Sequence, residues 1–289
     1  MKKILAVSGG VDSMSMLDIF IRQFPKSDLV VATFDHGTRE TSEEDVRFVS
    51  GICSALKIPV YRGKADLGTN VSEEKARTAR YDFLRKVAFE EHGEIYTAHH
   101  LDDLVETITI NFLRGTDFRG LACFSALGVR RPFLDGILNP EDYGFEAFDK
   151  NAILTYAAKN SIVFREDPTN ETDDYLRNRV RKTTRSLPLS KKLKIYELWK
   201  NQKNLVREID NLTESLIPED LKFARADFLE FDDKTALEIL RSALLRAGIS
   251  TTIPQRKDFL NAIRIYEPGK TFNLPKDRLV KINKKDFML

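Results

Sequence analysis

The chain has 289 residues, 42% of them hydrophobic, and its 46 Lys and Arg nearly cancel 44 Asp and Glu to leave a formal charge of +2. That length suits two domains with sizeable cores, and the balanced charge excludes a bulk polycation or an acidic solvating chain, so nucleic-acid contact must come from local patches. No apolar run approaches the ~18 residues of a membrane span, and Ile4-Leu5-Ala6-Val7 is too short a core for a signal peptide, so a soluble, cytoplasmic protein is expected.

Residues 3–7 read as a buried strand and 11–24 as a helix with Met14, Leu17, Ile21 and Phe24 on one stripe. A second strand over 29–34 leads to a helix over 42–56, opened by a Thr41-Ser-Glu-Glu44 capping box. A third strand (58–61), a long helix (71–91) capped by Asn70, a fourth strand (95–98) and a helix over 102–113 follow. Strands separated by helices of this length imply βαβ units and an α/β fold with a parallel sheet, whose ligand site lies beyond the carboxyl ends of the strands. Farther on, 131–135 reads as a strand, 139–148 as an acidic, aromatic inserted loop, 151–159 as a helix and 162–164 as a short strand. A basic helix spans 175–186, and Pro188 marks the expected boundary between a catalytic domain, 1–187, and a smaller, mostly helical domain, 188–289. The latter has helices over 193–216 and 234–247 and a terminal hairpin over 271–289.

The unusual chemistry gathers at the strand ends. Ser8-Gly9-Gly10-Val11-Asp12-Ser13 joins the first strand to the first helix. Glycines there let the backbone aim N–H groups at an anion, and the helix N-terminus adds partial positive charge. Ser8 and Ser13 add hydroxyls, and Asp12 can hold magnesium or order the loop. The loop has neither the lysine of GxxxxGK[ST] nor a GxGxxG pattern, which suits pyrophosphate as a magnesium-assisted leaving group. At the fourth strand's end, Asp103 and Glu106 share a helix face, with Asp102 and Glu106 as the four-apart alternative. Two acids beside a triphosphate repel it unless magnesium or an incoming ammonium lies between them; capped, solvated acids are the plain alternative. His99 and His100 point to opposite faces, one to contact phosphate or base and the other to pack, and His36 ends the second strand.

The loop SGGVDS resembles that of the PP-loop, or N-type ATP pyrophosphatase, superfamily. Within it, the chain resembles the tRNA(Ile)-lysidine synthases through Asp35-His36-Gly37-x-Arg39, Ala76-Arg77-x-x-Arg80-Tyr81, Ala98-His99-His100-Leu101-Asp102-Asp103-x-x-Glu106-Thr107, Arg114-Gly115, Arg131-Pro132-Phe133-Leu134, Asp167-Pro168-x-Asn170 and Arg177-Asn178-Arg179-Val180-Arg181. These cover residues 4 to about 185 in the family's order, the HHxDDxxET and RNRxR blocks being the more discriminating. The resemblance implies a carbon–nitrogen ligase that adenylates the wobble cytidine of the CAU-anticodon isoleucine tRNA and joins free L-lysine to it. ATP, with Mg2+ at Asp12, would sit on Ser8, Gly9, Gly10, Val11, Asp12, Ser13 and His36. Asp103, Glu106 and His99 would be catalytic, and Arg77, Arg80, Arg177, Asn178 and Arg181 would bind tRNA, with Tyr81 beside the flipped base. A homodimer is one assembly compatible with the chain. Segment 136–148 is longer than its counterpart in the family, and the match weakens after residue 190.

Two other readings compete. A tRNA thiolation enzyme of the same superfamily would need reactive or cluster-binding cysteines, and Cys53 and Cys123 lie in no pairing motif. A non-catalytic nucleotide- or RNA-binding module would need neither an intact loop nor both carboxylates.

Overall fold

A sheet covered on both faces requires strands that are apolar on both sides. In the computed structural model, β1 (Lys2–Ala6) turns Leu5 toward Met16, Leu17 and Phe20 of α1 (Val11–Gln23), and Ile4 toward Leu84 and Val87 of α3 (Glu73–Glu90). β2 (Leu29–Asp35) divides likewise, Val31 to the first core and Val30 to the second, as does β4 (Gly93–Tyr96) with Tyr96 and Ile95. With β3 (Val60–Lys64) and β5 (Val129–Arg130) these strands form a parallel sheet in the order β3-β2-β1-β4-β5. Residues 1–35, 37, 42–65, 73–125, 128–165 and 176–289 are described, with the backbone alone at 42, 73 and 176–178. The expected parallel α/β nucleotide-binding architecture is what forms. Its strand order reverses beside β1, which opens a crevice above the carboxyl ends of β1 and β4.

Helices α2 (Ser42–Leu56) and α6 (Lys150–Lys159) join α1 on the first face. Beyond the sheet edge, α4 (Leu101–Leu113) runs into the short α5 (Phe118–Leu121) and packs against α7 (Leu176–Arg185). The long α8 (Leu189–Ser215) begins just past the expected boundary at residue 187, and its first turns belong to the first of the two compact units, Met1–Gln202 and Lys203–Leu289. The physical reason is burial: Leu193 and Trp199 pack with Leu101 and Leu104, and the Trp199 indole donates to the Cys123 carbonyl at 2.8 Å. Pro188 starts this helix, accepting at its carbonyl from Lys191 and Lys192, a position where a missing N–H costs nothing.

The second unit has its own core. Ile239, Leu240 and Ala243 of α10 (Asp233–Arg246) meet Phe259 and Ile263 of α11 (Ile253–Ile265), and Phe223 of β6 (Lys222–Ala224) stacks on Phe287 of β9 (Asp286–Met288) at 5.4 Å. The short α9 (Arg225–Glu230) follows β6. The terminal hairpin is confined to β7 (Thr271–Leu274) and β8 (Arg278–Lys281), while β9 pairs with β6 instead. Helix α11 was not anticipated, although Thr252 and Gln255 form a capping box with Pro254 in the first turn.

Three further expectations change. Residues 131–135 are a turn closed by Leu134 and Asp135 N–H groups on the Arg131 carbonyl, because Pro132 has no N–H for a ladder. Residues 162–164 form no strand. The inserted segment is a 3₁₀ turn (Pro140–Tyr143) whose Tyr143, Phe145 and Phe148 rings pack into the first core, so it is anchored rather than a free surface loop.

Gly93 pairs with Lys2, and a Cβ there would stand 2.7 Å from the Lys2 carbonyl oxygen. Gly93→Ala should therefore destabilise the chain by about 1–3 kcal/mol, read from the urea midpoint. Gly51, inside α2 with nothing within 4 Å of its missing Cβ, should gain about 0.5–1 kcal/mol on substitution by Ala.

Candidate functional site

A cleft of about 300 Å³ opens at the strand-order reversal, lined by Ser8, Gly10, Asp12 and Ser13 from the first loop and helix, Thr33 and Phe34 from β2, and Thr97, Ala98, His99 and Asp103 from the β4–α4 turn. That volume lies at the lower end of small-ligand and cofactor sites. Gly9 adopts φ +91°, which a side chain would strain. Gly10 caps α1 and supplies no side-chain acceptor, so the first-turn N–H groups are left for an anion. The Ser13 hydroxyl donates to the Gly10 carbonyl at 2.9 Å and accepts from the Ser8 N–H at 3.2 Å, fixing the loop. The Arg165 N–H closes it from outside on the Gly9 carbonyl at 2.9 Å.

The two histidines separate as opposite faces require. His100 caps α4, its Nδ1 accepting from the Asp102 N–H at 3.2 Å. Nε2 therefore carries the hydrogen and stands 3.6 Å from Asp12 and 3.5 Å from Asp103. The Asp103 carboxylate in turn accepts from the His100 N–H at 3.0 Å. His99 lines the cleft with Nδ1 2.9 Å from the Thr97 hydroxyl. Burial, aided by Arg131, Arg80 and Arg77 against the pull of Asp103, holds its pKa down to about 3. It is thus neutral at physiological pH and cannot act there as an imidazolium.

Asp103 faces the cleft, whereas Glu106 is only 4% exposed and its Oε2 takes the Arg181 Nε–H at 2.9 Å. Burial raises the Glu106 pKa, and the Arg181 pairing only partly offsets it. Two residues assigned to separate tasks by sequence thus meet, and Arg181 is engaged inside the protein rather than presented on a solvated phosphate-binding face. Arg80 reaches the cleft and Arg77 is exposed, both over the Tyr81 ring at 5.5 and 5.1 Å. Tyr81 itself is 6% exposed and belongs to the second core, so it supports the arginines and offers no face to a flipped base. His36 and the Asp167-Pro168-x-Asn170 block lie outside the described residues, as do the side chains of Arg177 and Asn178 in α7.

Two lysines join the site that the sequence did not place there: Lys150, and Lys192 of the basic run 191–194, which reads as a solvated face. Lys150 Nζ stands 2.7 Å from Asp12 Oδ1, and its backbone N–H donates to Asp102 at 2.7 Å. Lys192, 4% exposed, reaches the other Asp102 oxygen at 2.6 Å and lies 3.8 Å from Asp149. Burial pushes the Asp102 pKa up, but Lys192, the Lys150 N–H and His100 outweigh it and hold the carboxyl below its usual range. Lys150 lies 138 positions from Asp12, so no local pattern could pair them. Among the described residues no three His, Cys, Asp or Glu side chains cluster as metal ligands. Asp12, a carboxylate beside the anion cradle, fits magnesium, which commonly takes one or two carboxylates plus substrate phosphates and waters.

The sequence matches the PP-loop domain family over residues 1–186. It is 32% identical to the tRNA(Ile)-lysidine synthase of Petrotoga mobilis over 269 residues, 86% of this chain and 80% of that one. It is 36% identical to the tRNA(Ile)-lysidine synthase of Enterococcus faecalis over 65% of this chain and 40% of that one, and 37% identical to that of Thermotoga maritima over 66% and 45%. The chain thus spans less than half the length of these last two. The solved U34-tRNA thiolase NcsA of Methanococcus maripaludis shares the fold at a TM-score of 0.56 and 19% identity, over 72% of this chain and 73% of that one.

Two outcomes are expected. Lys192→Met leaves Asp102 and Asp149 buried without their cation and should cost about 3–5 kcal/mol, measured by denaturant unfolding; a change below 1 kcal/mol would show the pair to be dispensable. An unfolded histidine titrates near ~6.5, so below that pH the unfolded chain takes a proton that folded His99 refuses until about 3. Stability should therefore fall between those values as pH drops, and His99→Gln should flatten that part of the slope. Parallel curves for the two proteins would contradict it.

Proposed function

For a chain that belongs to the tRNA(Ile)-lysidine synthase family of PP-loop proteins, we propose that it joins free L-lysine to C2 of the wobble cytidine in the CAU-anticodon isoleucine tRNA, at the expense of ATP. The observation carrying this reading is one rim that holds both an anion cradle, Ser8 to Ser13, and an acid, Asp103, linked through His100. The cradle suits the phosphates of ATP, and the acid suits an ammonium.

The reaction has two displacements. The cytidine O2 attacks the α-phosphorus, and the electron pair of the breaking Pα–O bond leaves on pyrophosphate. The lysine ε-amine then attacks C2, and the C2–O bond breaks toward AMP. Magnesium, held by Asp12 and phosphate oxygens, would lower the charge of the leaving pyrophosphate. The first-turn N–H groups of α1, with Ser8 and Ser13, bind the same oxygens and orient the α-phosphorus. Asp103 receives the lysine ammonium and takes its proton so that a neutral amine attacks. Glu106, tied to Arg181, backs this carboxylate and holds α7 on α4. His99, neutral, offers a hydrogen-bonding nitrogen beside the reacting base. Arg77, Arg80, Arg177 and Asn178 meet the tRNA backbone, and His36 borders the nucleotide.

A thiolation reading finds less support. Cys53 is fully buried, and burial pushes its thiol up to about 11, the reverse of a reactive cysteine.

Incubation with ATP, labelled lysine and isoleucine tRNA transcript should place label in the RNA and release AMP and pyrophosphate; ADP with orthophosphate, or unlabelled RNA, would refute the assignment. Asp103→Asn should slow lysine transfer about 10²-fold or more with tRNA affinity retained. Arg177→Ala should weaken tRNA binding and lower its salt slope by about 1. Arg181→Ala should instead reduce turnover through Glu106.

A further inference from the structure

The first loop has no lysine of its own, yet the structure brings one to it. Lys150 opens α6, and its ammonium stands 2.7 Å from Asp12 Oδ1, with a side chain 27% exposed. The base of this side chain is held from three directions. Its N–H donates to Asp102 at 2.7 Å, and the buried Lys192 pins the other Asp102 oxygen at 2.6 Å. The neighbouring Asp149 caps α6 on the Ala152 N–H at 2.8 Å. A fixed base and a solvent-reaching tip make a pivot.

Asp12 is the carboxylate that suits magnesium. An ammonium and a divalent cation cannot hold one carboxylate oxygen together, since their repulsion opposes it. A metal–nucleotide complex arriving at Asp12 would therefore loosen its hold on the Lys150 tip, and the strongest nearby anion is then the triphosphate at the α1 N-terminus. We propose that Lys150 is a substrate-contacting residue that exchanges Asp12 for the β- and γ-phosphates of ATP and stabilises the departing pyrophosphate. This deepens the ATP-cleft reading and rests on it. As the Pα–O bond breaks, its electron pair moves onto the bridging oxygen of the β-phosphate, where the ammonium meets the growing charge. The loop thus borrows from α6 the cation that GxxxxGK[ST] loops carry in place.

The test uses the full chain with magnesium and no tRNA, measuring calorimetric affinity for pyrophosphate, ATP and AMP. Lys150→Met keeps length and removes charge. It should weaken pyrophosphate and ATP binding by about tenfold or more, as the loss of a charge-assisted contact does, and leave AMP within about twofold. Lys150→Arg should restore part of the pyrophosphate affinity. Unchanged pyrophosphate affinity in Lys150→Met, or an equal loss for AMP, would overturn the proposal and leave Lys150 as a tether of Asp12. If the unsubstituted chain binds neither ATP nor pyrophosphate, the ATP-cleft reading itself fails, which separates the two failures.

Discussion

The candidate site depends on one nearly buried carboxylate. Asp102 gives one oxygen to the Lys192 ammonium and the other to the Lys150 N–H. A carboxylate so buried is tolerable only when paired and hydrogen-bonded, and this one ties the starts of α4 and α6 to α8. The α4 start carries His100 and Asp103, and the α6 start carries Lys150, so both sides of Asp12 are positioned from one point. Removing either partner leaves a charge that nothing else in the pair can neutralise.

Around that point, the acid–base character of each group follows from what surrounds it. His99 is kept neutral by burial among arginines, Asp102 is kept ionised by two donors, and Glu106 is pushed toward its neutral form despite Arg181. Asp103 faces the cleft with His100 between it and Asp12. The His100 Nε2 lies between two carboxylates, and a cation entering the cleft finds both. Such an arrangement suits the proposed order of a polyanion first and an ammonium second.

The charged runs deserve the same discrimination. Arginines at helical spacing look alike in sequence, whether they face phosphate or a buried acid. Arg181 is taken up by Glu106, and Arg165 by Glu44 and Asp45 while its N–H closes the Gly9 loop. Arg77, exposed above Tyr81, keeps its guanidinium at the surface. Arginine's planar fork and obligatory charge serve both uses, so burial, not composition, separates a structural strut from a nucleic-acid contact.

The sequence by itself determined β1 to β4, the long helices of the first unit and the rim on which the chemistry lies, because alternation, caps and glycine-rich turns are local patterns set by neighbouring residues. The SGGVDS loop and the cleft-facing Asp103 were legible for that reason. Residues 131–135 misled because a strand reading overlooked the missing N–H of Pro132, and the first compact unit runs on to Gln202 because a proline can open a helix as well as end a domain. Only the tertiary structure decided that Lys150 meets Asp12, that Lys192 is buried on Asp102 and that Arg181 belongs to Glu106. Those pairings join helices far apart in the chain, and a long flexible cation carries no local mark of the carboxylate that packing will bring within its reach.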